Sequence, residues 1–232
     1  MMSRCRFVVA AVAAVAAVAV TAAAAAPLAA QEVALKGGIA ISRFQSTGAM
    51  PPGSAAGDPA RFDDSFVSTS FGGHARFSFG RFALQPELQM VSRGASISET
   101  ATNERIRLEY MELPVMLVVP IQVGAFEPYA FGGPMLSLET RCRSIIEENN
   151  LKTNLGCDDE AAGNSFDRRV FDYGVSAGAG ISHRLGSGRV LLEGRHTWGL
   201  RNIYDGAVEG VEVRNRSLVF SIGYSIVPDE ME

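Results

Sequence analysis

Residues 217–226, with the sequence SLVFSIGYSI, alternate between two kinds of side chain. The even-numbered positions carry large apolar or aromatic residues: Leu218, Phe220, Ile222, Tyr224 and Ile226. The odd-numbered positions carry small and mostly polar residues: Ser217, Val219, Ser221, Gly223 and Ser225. Successive side chains of a β-strand point to opposite faces of its sheet. This segment is therefore predicted to be a strand with one apolar face and one polar face.

The same alternation recurs along the chain. We predict eight strands, at residues 33–44, 67–79, 82–93, 105–119, 123–138, 170–185, 189–200 and 215–227. Each is long enough to cross a bilayer at the usual tilt, which takes about 9–11 residues. Only a closed sheet can pair every backbone group of a strand in lipid. The pattern therefore predicts an all-β fold, an eight-stranded antiparallel up-and-down transmembrane β-barrel.

The connections between the predicted strands alternate in length. Long connections, rich in Gly, Pro, Ser, Asn and charged residues, lie at residues 45–66, 94–104, 139–169 and 201–214. Tight connections lie at residues 80–81, 120–122 and 186–188. Short turns at one rim and long loops at the other are typical of outer-membrane barrels. Because rigid barrels present loops to the outside, segment 139–169 is the predicted contact site for an extracellular or envelope protein, and a solvated, protease-resistant loop without a partner is the equal alternative.

The N-terminal segment predicts export. Arg4 and Arg6 precede an apolar run over residues 7–26, and residues 27–30, PLAA, end in small side chains. This order is that of a secretory signal peptide. We expect cleavage near Ala30, which leaves residues 31–232 as one outer-membrane barrel domain. A helical membrane anchor is the alternative, since the run exceeds an ordinary signal core, but its alanine richness disfavours stable insertion.

Cysteine content and charge narrow the function classes. The predicted mature chain keeps Cys142 and Cys157, both within segment 139–169. An even count in an exported protein predicts one disulfide. Two thiols are too few ligands for a metal, and we predict no metal, cofactor or catalytic residue. The formal net charge is −4 and the basic residues are scattered, which argues against a nucleic-acid partner.

The tight turn at Gly80 and Arg81 determines the register of one hairpin. With these as the two turn residues, Phe79 lies opposite Phe82. The outward pairs that follow are Phe77 with Leu84 and Phe71 with Met90. The inward pairs are Arg76 with Gln85 and His74 with Glu87. A slip by one residue would exchange the two faces, so the pattern supports this register.

A second hairpin is predicted around residues 186–188. We place Gly186 opposite Arg189. The inward pairs that follow are Ser182 with Glu193 and Gly180 with Arg195. Small residues opposite long charged ones can fill the narrow interior of an eight-stranded barrel.

The two faces of the predicted barrel have different roles. We expect the lipid-facing set to include Phe77, Phe79, Phe82, Leu84, Leu192, Trp198, Leu218, Phe220, Ile222 and Tyr224. We expect a polar network in the lumen formed by Lys36, His74, Arg76, Gln85, Glu87, Glu112, Asp172, Arg184, Glu193 and Arg195, with Arg81 and Arg93 also projecting inward. Because both signs of charge are present, this set predicts a structural ion-pair network. A proton or ion path is the alternative.

Two features fit the alternation less well. In segment 105–119, a row of large apolar residues stands at the odd-numbered positions from Met111 onward. Before Met111, large apolar residues stand at even-numbered positions, as Ile106, Leu108 and Tyr110. We predict a β-bulge near Glu109 or Met111. Three prolines also remove backbone donors from predicted ladders, and bulges or rim positions would accommodate them. They are Pro114, Pro128 and Pro134.

Five short blocks carry a family resemblance. They are LQPEL at 84–88, YMELP at 110–114, PYAFGGP at 128–134, YGVSAGAG at 173–180 and EGRHTWGL at 193–200. In this order they resemble the small outer-membrane β-barrel proteins called porin-like or PorT-family proteins. The resemblance covers nearly the whole predicted mature chain. It implies an integral outer-membrane barrel of a Gram-negative envelope, surrounded by outer-membrane lipid, in which these prolines belong to the fold.

Other functions remain as alternatives. An outer-membrane lipid hydrolase would need a nucleophile and a base on one face, yet His196 and Thr197 are adjacent and point to opposite faces. A soluble lipocalin-like binder would turn its apolar row inward. We predict a non-enzymatic structural or interaction barrel with a filled polar lumen. A narrow porin-like channel for small solutes or ions is the main alternative.

Overall fold

The structure is a computed structural model that describes residues 32–47, 64–98, 102–148, 151–156, 169–203 and 212–226. Within these ranges the backbone forms β-strands joined by short turns. The strands are β1 (Glu32–Thr47), β2 (Asp64–Phe79), β3 (Phe82–Ser98), β4 (Thr102–Pro120), β5 (Phe126–Glu148), β6 (Leu151–Gly156), β7 (Phe171–Leu185), β8 (Gly188–Gly199) and β9 (Glu212–Ile226). The described part of the chain contains no helix that is long and apolar enough to span a bilayer.

The strands close into a ring. Hydrogen-bonded neighbours follow the order β4-β3-β2-β1-β9-β8-β7-β5, and β4 also pairs with β5. Each of these pairings is antiparallel. The short strand β6 pairs with β5 outside the ring. The predicted closed, eight-stranded antiparallel barrel is therefore confirmed.

The turn at Gly80 has the predicted geometry. Gly80 has a φ of 64°, a conformation that glycine adopts without steric cost. Phe79 pairs with Phe82, and His74 pairs with Glu87. The register and the two faces of this hairpin are thus as predicted. With the turns at Gly124 and Gly186, it forms one end of the barrel, called here the short-turn rim.

The register predicted for the β7–β8 hairpin is wrong by two residues. Leu185 pairs with Gly188, because Gly186 and Ser187 form a two-residue turn in which Gly186 has a φ of 64°. The observed inward pairs are Ser182 with Leu191, Gly180 with Glu193 and Gly178 with Arg195. A shift of two residues preserves parity, so every side chain keeps its predicted face.

The third tight connection lies further along the chain than predicted. Val123 and Phe126 form a bridge around Gly124, whose φ is 61°. Strand β5 therefore begins at Phe126 rather than at residue 123. The chain prefers this position because it places glycine, not Gln122, in the left-handed conformation.

In strand β4, the even-numbered residues from 108 to 118 are all buried and point into the barrel. Leu108 and Tyr110 are buried, as is Glu112, so all three point inward. A register shift does occur at the predicted level, between Glu109 and Tyr110, but the extra residue is Thr140 on the partner strand β5. No reversal of β4 is needed because the lumen accepts apolar side chains at this level.

The prolines lie within continuous ladders. Pro114 pairs with Met135, while Pro128 and Pro134 both lie in the unbroken register of β5 with β7. No register shift accompanies them. Bulges therefore do not accommodate these prolines, whereas the expected rim position holds for Pro128, which lies two residues from the start of β5.

The predicted long loop at 139–169 is partly regular. Strand β5 continues to Glu148, and β6 folds back against it, so that Arg143 pairs with Gly156. The first half of this segment is a β-hairpin that extends the barrel wall because its backbone groups continue to pair. Residues 157–168 lie outside the described part of the chain.

The outer surface of the barrel is apolar. Phe79, Phe82, Leu84, Leu192, Trp198, Phe220, Ile222 and Tyr224 are exposed, and Phe77 and Leu218 are half-buried. Large apolar side chains that stand exposed in water would be strongly unfavourable over so wide a surface, whereas lipid accommodates them. The predicted lipid-facing set therefore lies on the outside of the barrel.

Candidate functional site

The candidate site is the charged interior of the barrel. Of the predicted lumen residues, those that are buried are Lys36, His74, Arg76, Gln85, Glu87, Glu112, Asp172, Glu193 and Arg195. Arg93 is buried as well, with 1% of its surface exposed. Strand alternation places these polar side chains on one face of each strand, and closure of the ring turns that face inward.

Four charged side chains form a cluster at mid-height, called here the central cluster: Lys36, Glu87, Glu193 and Arg195. Glu87 Oε2 lies 3.0 Å from Lys36 Nζ and 2.8 Å from Arg195 Nη2. Lys36 Nζ also lies 2.8 Å from Glu193 Oε2. Two positive and two negative charges therefore balance in a buried space, as a stable buried network requires.

The central cluster spans the lumen. Glu87 is on β3 and Arg195 is on β8, which are four strands apart in either direction around the ring. These two strands are opposite walls of the barrel. A direct 2.8 Å ion pair therefore joins opposite walls of the barrel at that level.

A second set of polar contacts runs from the central cluster toward the short-turn rim. Gln85 Nε2 donates a hydrogen bond to Glu87 Oε1 at 2.8 Å, and Arg76 Nε donates to Gln85 Oε1 at 2.8 Å. The Arg76 guanidinium lies 4.9 Å from the centre of the Tyr129 ring. At the rim, Glu127 lies 2.6 Å from Arg189 Nη1 and 3.7 Å from Arg76 Nη1.

A third set lies on the loop side of the central cluster. Arg93 forms an ion pair with Glu112, and its Nη1 lies 4.0 Å from Asp172 Oδ2. Asn215 Nδ2 donates a hydrogen bond of 2.8 Å to the same Asp172 oxygen. The Arg93 guanidinium lies 5.4 Å from the centre of the Tyr110 ring. Charged groups are thus paired at three heights within the lumen.

Aromatic rings fill the remaining space beside the charges. Tyr129 and Phe131 on β5 belong to a buried apolar cluster whose other members are Ala83, Met116 and Val118. Their rings cross the neighbouring strand β7 at its glycines. A Cβ on Gly180 would lie 2.5 Å from Tyr129 Cζ, and one on Gly178 would lie 2.6 Å from Phe131 Cζ. Glycine is therefore required at both positions for the rings to pack.

Replacing Gly180 with alanine should destabilise the barrel by about 1–3 kcal/mol, because the new methyl group must displace the Tyr129 ring. The displaced ring would also weaken the 3.0 Å hydrogen bond from the Tyr129 hydroxyl to Glu193 Oε1. Urea unfolding in lipid vesicles measures the change. Gly194→Ala is the matched control, since its Cβ would meet the Phe220 ring at an ordinary 3.4 Å. Equal stability of the two variants would contradict the packing argument.

Two predicted lumen roles need correction. Arg184 has inward parity but is exposed, and it lines a cavity of 330 Å³ at the short-turn rim with Glu127 and Arg189. Its position near the end of β7 places it beyond the buried network. Arg81 is likewise exposed, because it is a turn residue.

His74 lies opposite Glu87, yet neither of its ring nitrogens has a hydrogen-bond partner.

Sequence patterns missed some of the interior. The aromatic side chains of Tyr110, Tyr129 and Phe131 point inward, which was not predicted because large apolar residues were expected to face lipid. In β5 the large residues Tyr129 and Phe131 alternate with the small residues Ala130 and Gly132. This alternation was the available sign that the large residues of β5 lie on one face, but it does not say which face is inside.

Other predictions concern groups outside the lumen network. Cys142 is buried on β5, whereas Cys157 lies outside the described residues, so the disulfide stays a prediction. Across the described part of the chain, no three or more His, Cys, Asp or Glu side chains are grouped as a metal site would need. Thr197 is buried and lies 2.8 Å from the Ser176 hydroxyl, whereas His196 packs on the outer face at 4.2 Å from the Trp198 ring centre.

The sequence of this closed barrel matches a known family. Residues 29–205, well over half of the chain, match the family model described as outer membrane protein beta-barrel domain. The chain belongs to this family. As an outer membrane β-barrel domain protein, it has the fold that the alternating strands predict. No curated protein has a significantly similar sequence.

Several solved structures are similar to this outer membrane β-barrel domain protein. Outer membrane protein OprG of Pseudomonas aeruginosa is 15% identical, with a TM-score of 0.47 and coverage of 85% of this chain and 95% of that one. Neisserial surface protein A is 12% identical, with a TM-score of 0.43 and coverage of 84% and 96%. Outer membrane protein W of E. coli is 16% identical, with a TM-score of 0.40 and coverage of 84% and 97%.

Proposed function

We propose that this protein is a structural outer-membrane barrel with a sealed lumen, which uses its loop side for contact with another envelope or extracellular protein. One observation supports the proposal above all. The Glu87–Arg195 ion pair joins opposite walls at 2.8 Å, and Lys36 and Glu193 fill the space beside it. Such a barrel is a rigid, non-enzymatic support for surface segments.

The same proposal includes export and orientation. The signal peptide is cleaved near Ala30, and the barrel inserts with its short-turn rim toward the periplasm, as outer-membrane barrels do. Strands β4 and β5 extend well past the membrane on the other side, since β5 has 23 residues and a bilayer crossing needs about 9–11. The extended end therefore projects outward.

The proposed contact surface is the projecting segment at 139–169. Its described part is the β5–β6 hairpin, in which β6 pairs with β5 outside the closed ring. The proposed Cys142–Cys157 disulfide would tie the base of this segment to β5, on which Cys142 is buried. Constraint of such a segment lowers the ordering entropy lost when a partner binds.

Planar-bilayer recording tests the sealed lumen. The purified full-length protein should show no steady conductance, and neither should a form without residues 144–155. The double variant E87A/R195A should conduct, because it removes both side chains that join the opposite walls. The control E212A/R214A removes an ion pair of similar length, 2.7 Å, on the exposed outer surface and should stay silent.

A narrow channel is the second candidate function. It is favoured by buried polar atoms without hydrogen-bond partners in the lumen, on Ser70, His74, Ser182 and Ser217. Such atoms are usually satisfied by water, which a conducting path would supply. Steady ohmic conductance of the wild-type protein, lost when Glu87 and Arg195 are replaced by larger apolar residues, would establish the channel and overturn the sealed barrel.

A further inference from the structure

A cluster of arginines lies on the outer face of the barrel, at its loop side. Arg43 on β1 pairs directly with Arg216 on β9, and Gln45 pairs with Arg214. These side chains have the same parity as the lipid-facing residues of their strands. Like charges directly opposite each other on a ladder destabilise a sheet. The Arg43–Arg216 pair is therefore unfavourable unless an anion lies between the two guanidinium groups.

Within the described ranges, no acidic residue forms an ion pair with Arg43 or Arg216. In the described part of the outer face, the acidic group bound to these arginines is Glu212, whose carboxylate lies 2.7 Å from Arg214 Nη2. The charges of Arg43 and Arg214 both act on Arg216. Arg43 is exposed and forms no ion pair with any described residue. As far as the structure describes the chain, two positive charges thus stand together at this place without an acidic partner.

The geometry of Arg216 is suited to holding an anion. Its Nε donates a hydrogen bond to Gln45 Oε1 at 2.9 Å, and its Nη1 donates to the Gly199 carbonyl at 2.8 Å. These bonds orient the guanidinium, while Nη2 has no hydrogen-bond partner among the described residues. An oriented guanidinium with a remaining donor binds phosphate through charge-assisted hydrogen bonds.

The cluster lies at the boundary of the apolar surface. Arg216 is ten residues from Ile226, which pairs with Gly188 at the short-turn rim. Ten residues at about 3.3 Å each, on a strand tilted by about 40°, rise roughly 25 Å, the height of the apolar band of an outer-membrane barrel. Trp198 pairs with Arg216 and lies at the same level, where Trp commonly meets lipid headgroups.

We propose that Arg43 and Arg216 form a binding site for the phosphate group of an anionic lipid in the outer leaflet. The acyl chains of that lipid would lie on Leu218 and Phe220, directly below the arginines on β9. The site rests on the proposed orientation of the barrel, with the loop side outward. It gives the protein a fixed lipid ligand at the surface from which the β5–β6 hairpin projects.

Fluorescence titration tests the site, because Trp198 is the sole tryptophan of the chain and lies opposite Arg216. The full-length barrel in uncharged detergent micelles is titrated with bis-phosphorylated lipid A, with lipid A from which the phosphates have been removed, and with inorganic phosphate. The wild-type protein should bind the phosphorylated lipid far more tightly than the dephosphorylated one. Inorganic phosphate should not compete at comparable concentrations.

The variant R43Q/R216Q should bind the phosphorylated lipid about 30-fold more weakly, since a basic residue near an anionic surface contributes about 1 kcal/mol. The control R81Q/R184Q loses the same charge at the opposite rim and should bind as the wild type does. R43Q alone should bind about fivefold more weakly. Because Arg43 is exposed and forms no described ion pair, this single variant should fold even if the double variant does not.

Several results would overturn the site. They are equal affinity of R43Q and wild type, equal weakening in the control, equal binding of the dephosphorylated lipid, and saturation of the same signal by inorganic phosphate. Bilayer recordings of R43Q/R216Q separate this inference from the sealed lumen. The variant should be as silent as the wild type, because its substitutions lie on the outer face.

Discussion

Replacing Glu87 with alanine should lower the free energy of unfolding by about 3–5 kcal/mol. The carboxylate of Glu87 lies between Lys36 and Arg195, and its own side chain has no exposed surface. Its removal leaves two buried cations with Glu193 as the nearest anion. Urea titration of the protein folded in lipid vesicles, followed by Trp198 fluorescence, measures the loss.

The matched control for this prediction is Glu212→Ala. Glu212 also forms an ion pair with an arginine, at 2.7 Å from Arg214, but 49% of its side chain is exposed. Exposed pairs contribute about 0–1 kcal/mol, so this variant should unfold almost as the wild type does. If both variants lost the same small amount of stability, the ion pairs of the central cluster would contribute no more to the free energy of unfolding than an exposed ion pair does.

Replacing Leu192 with arginine should destabilise the membrane-inserted barrel by about 2–4 kcal/mol. Leu192 is 51% exposed on the outer face and pairs with Ile222, near the middle of β8. A guanidinium at this depth must enter hydrocarbon without a partner. Folding efficiency into vesicles and urea titration both report the effect.

The control for this prediction is Phe79→Arg. Phe79 is similarly exposed, at 51%, but it lies next to the Gly80 turn at the short-turn rim. A charge near the interface costs only about 0–1 kcal/mol. Strong destabilisation by Phe79→Arg together with tolerance of Leu192→Arg would mean that the exposed apolar face does not lie in the bilayer.

The faces of the strands could be predicted because parity is a local property. The Gly80 turn determined a register in which His74 pairs with Glu87, and this pairing is confirmed. The Gly186 turn allowed two registers of equal parity, and the sequence alone could not choose between Gly186–Ser187 and Ser187–Gly188 as the two turn residues. The positive φ of Gly186 selects the first of these turns. The wrong register changed which residues of β7 and β8 are paired, but every side chain stayed on its predicted face.

The membership of the lumen network was largely predictable, but its contacts were not. Inward parity identified Lys36, Glu87 and Arg195, because each follows the polar phase of its own strand. Which of them meet depends on the order of strands around the ring. Alternation alone was not sufficient for Arg184. Its position in the strand is one that points inward, but the residue lies past the end of the buried interior and is exposed.

The sequence by itself determined the closed β-sheet, since alternation in strands such as 217–226 leaves lipid and lumen as the two environments for its faces. Only the tertiary structure decided which charged side chains meet across the lumen. Glu87 and Arg195 are far apart along the chain and belong to strands that do not pair, so no local pattern relates them. Ring closure places their strands on opposite walls, and the small diameter of eight strands brings the two side chains together.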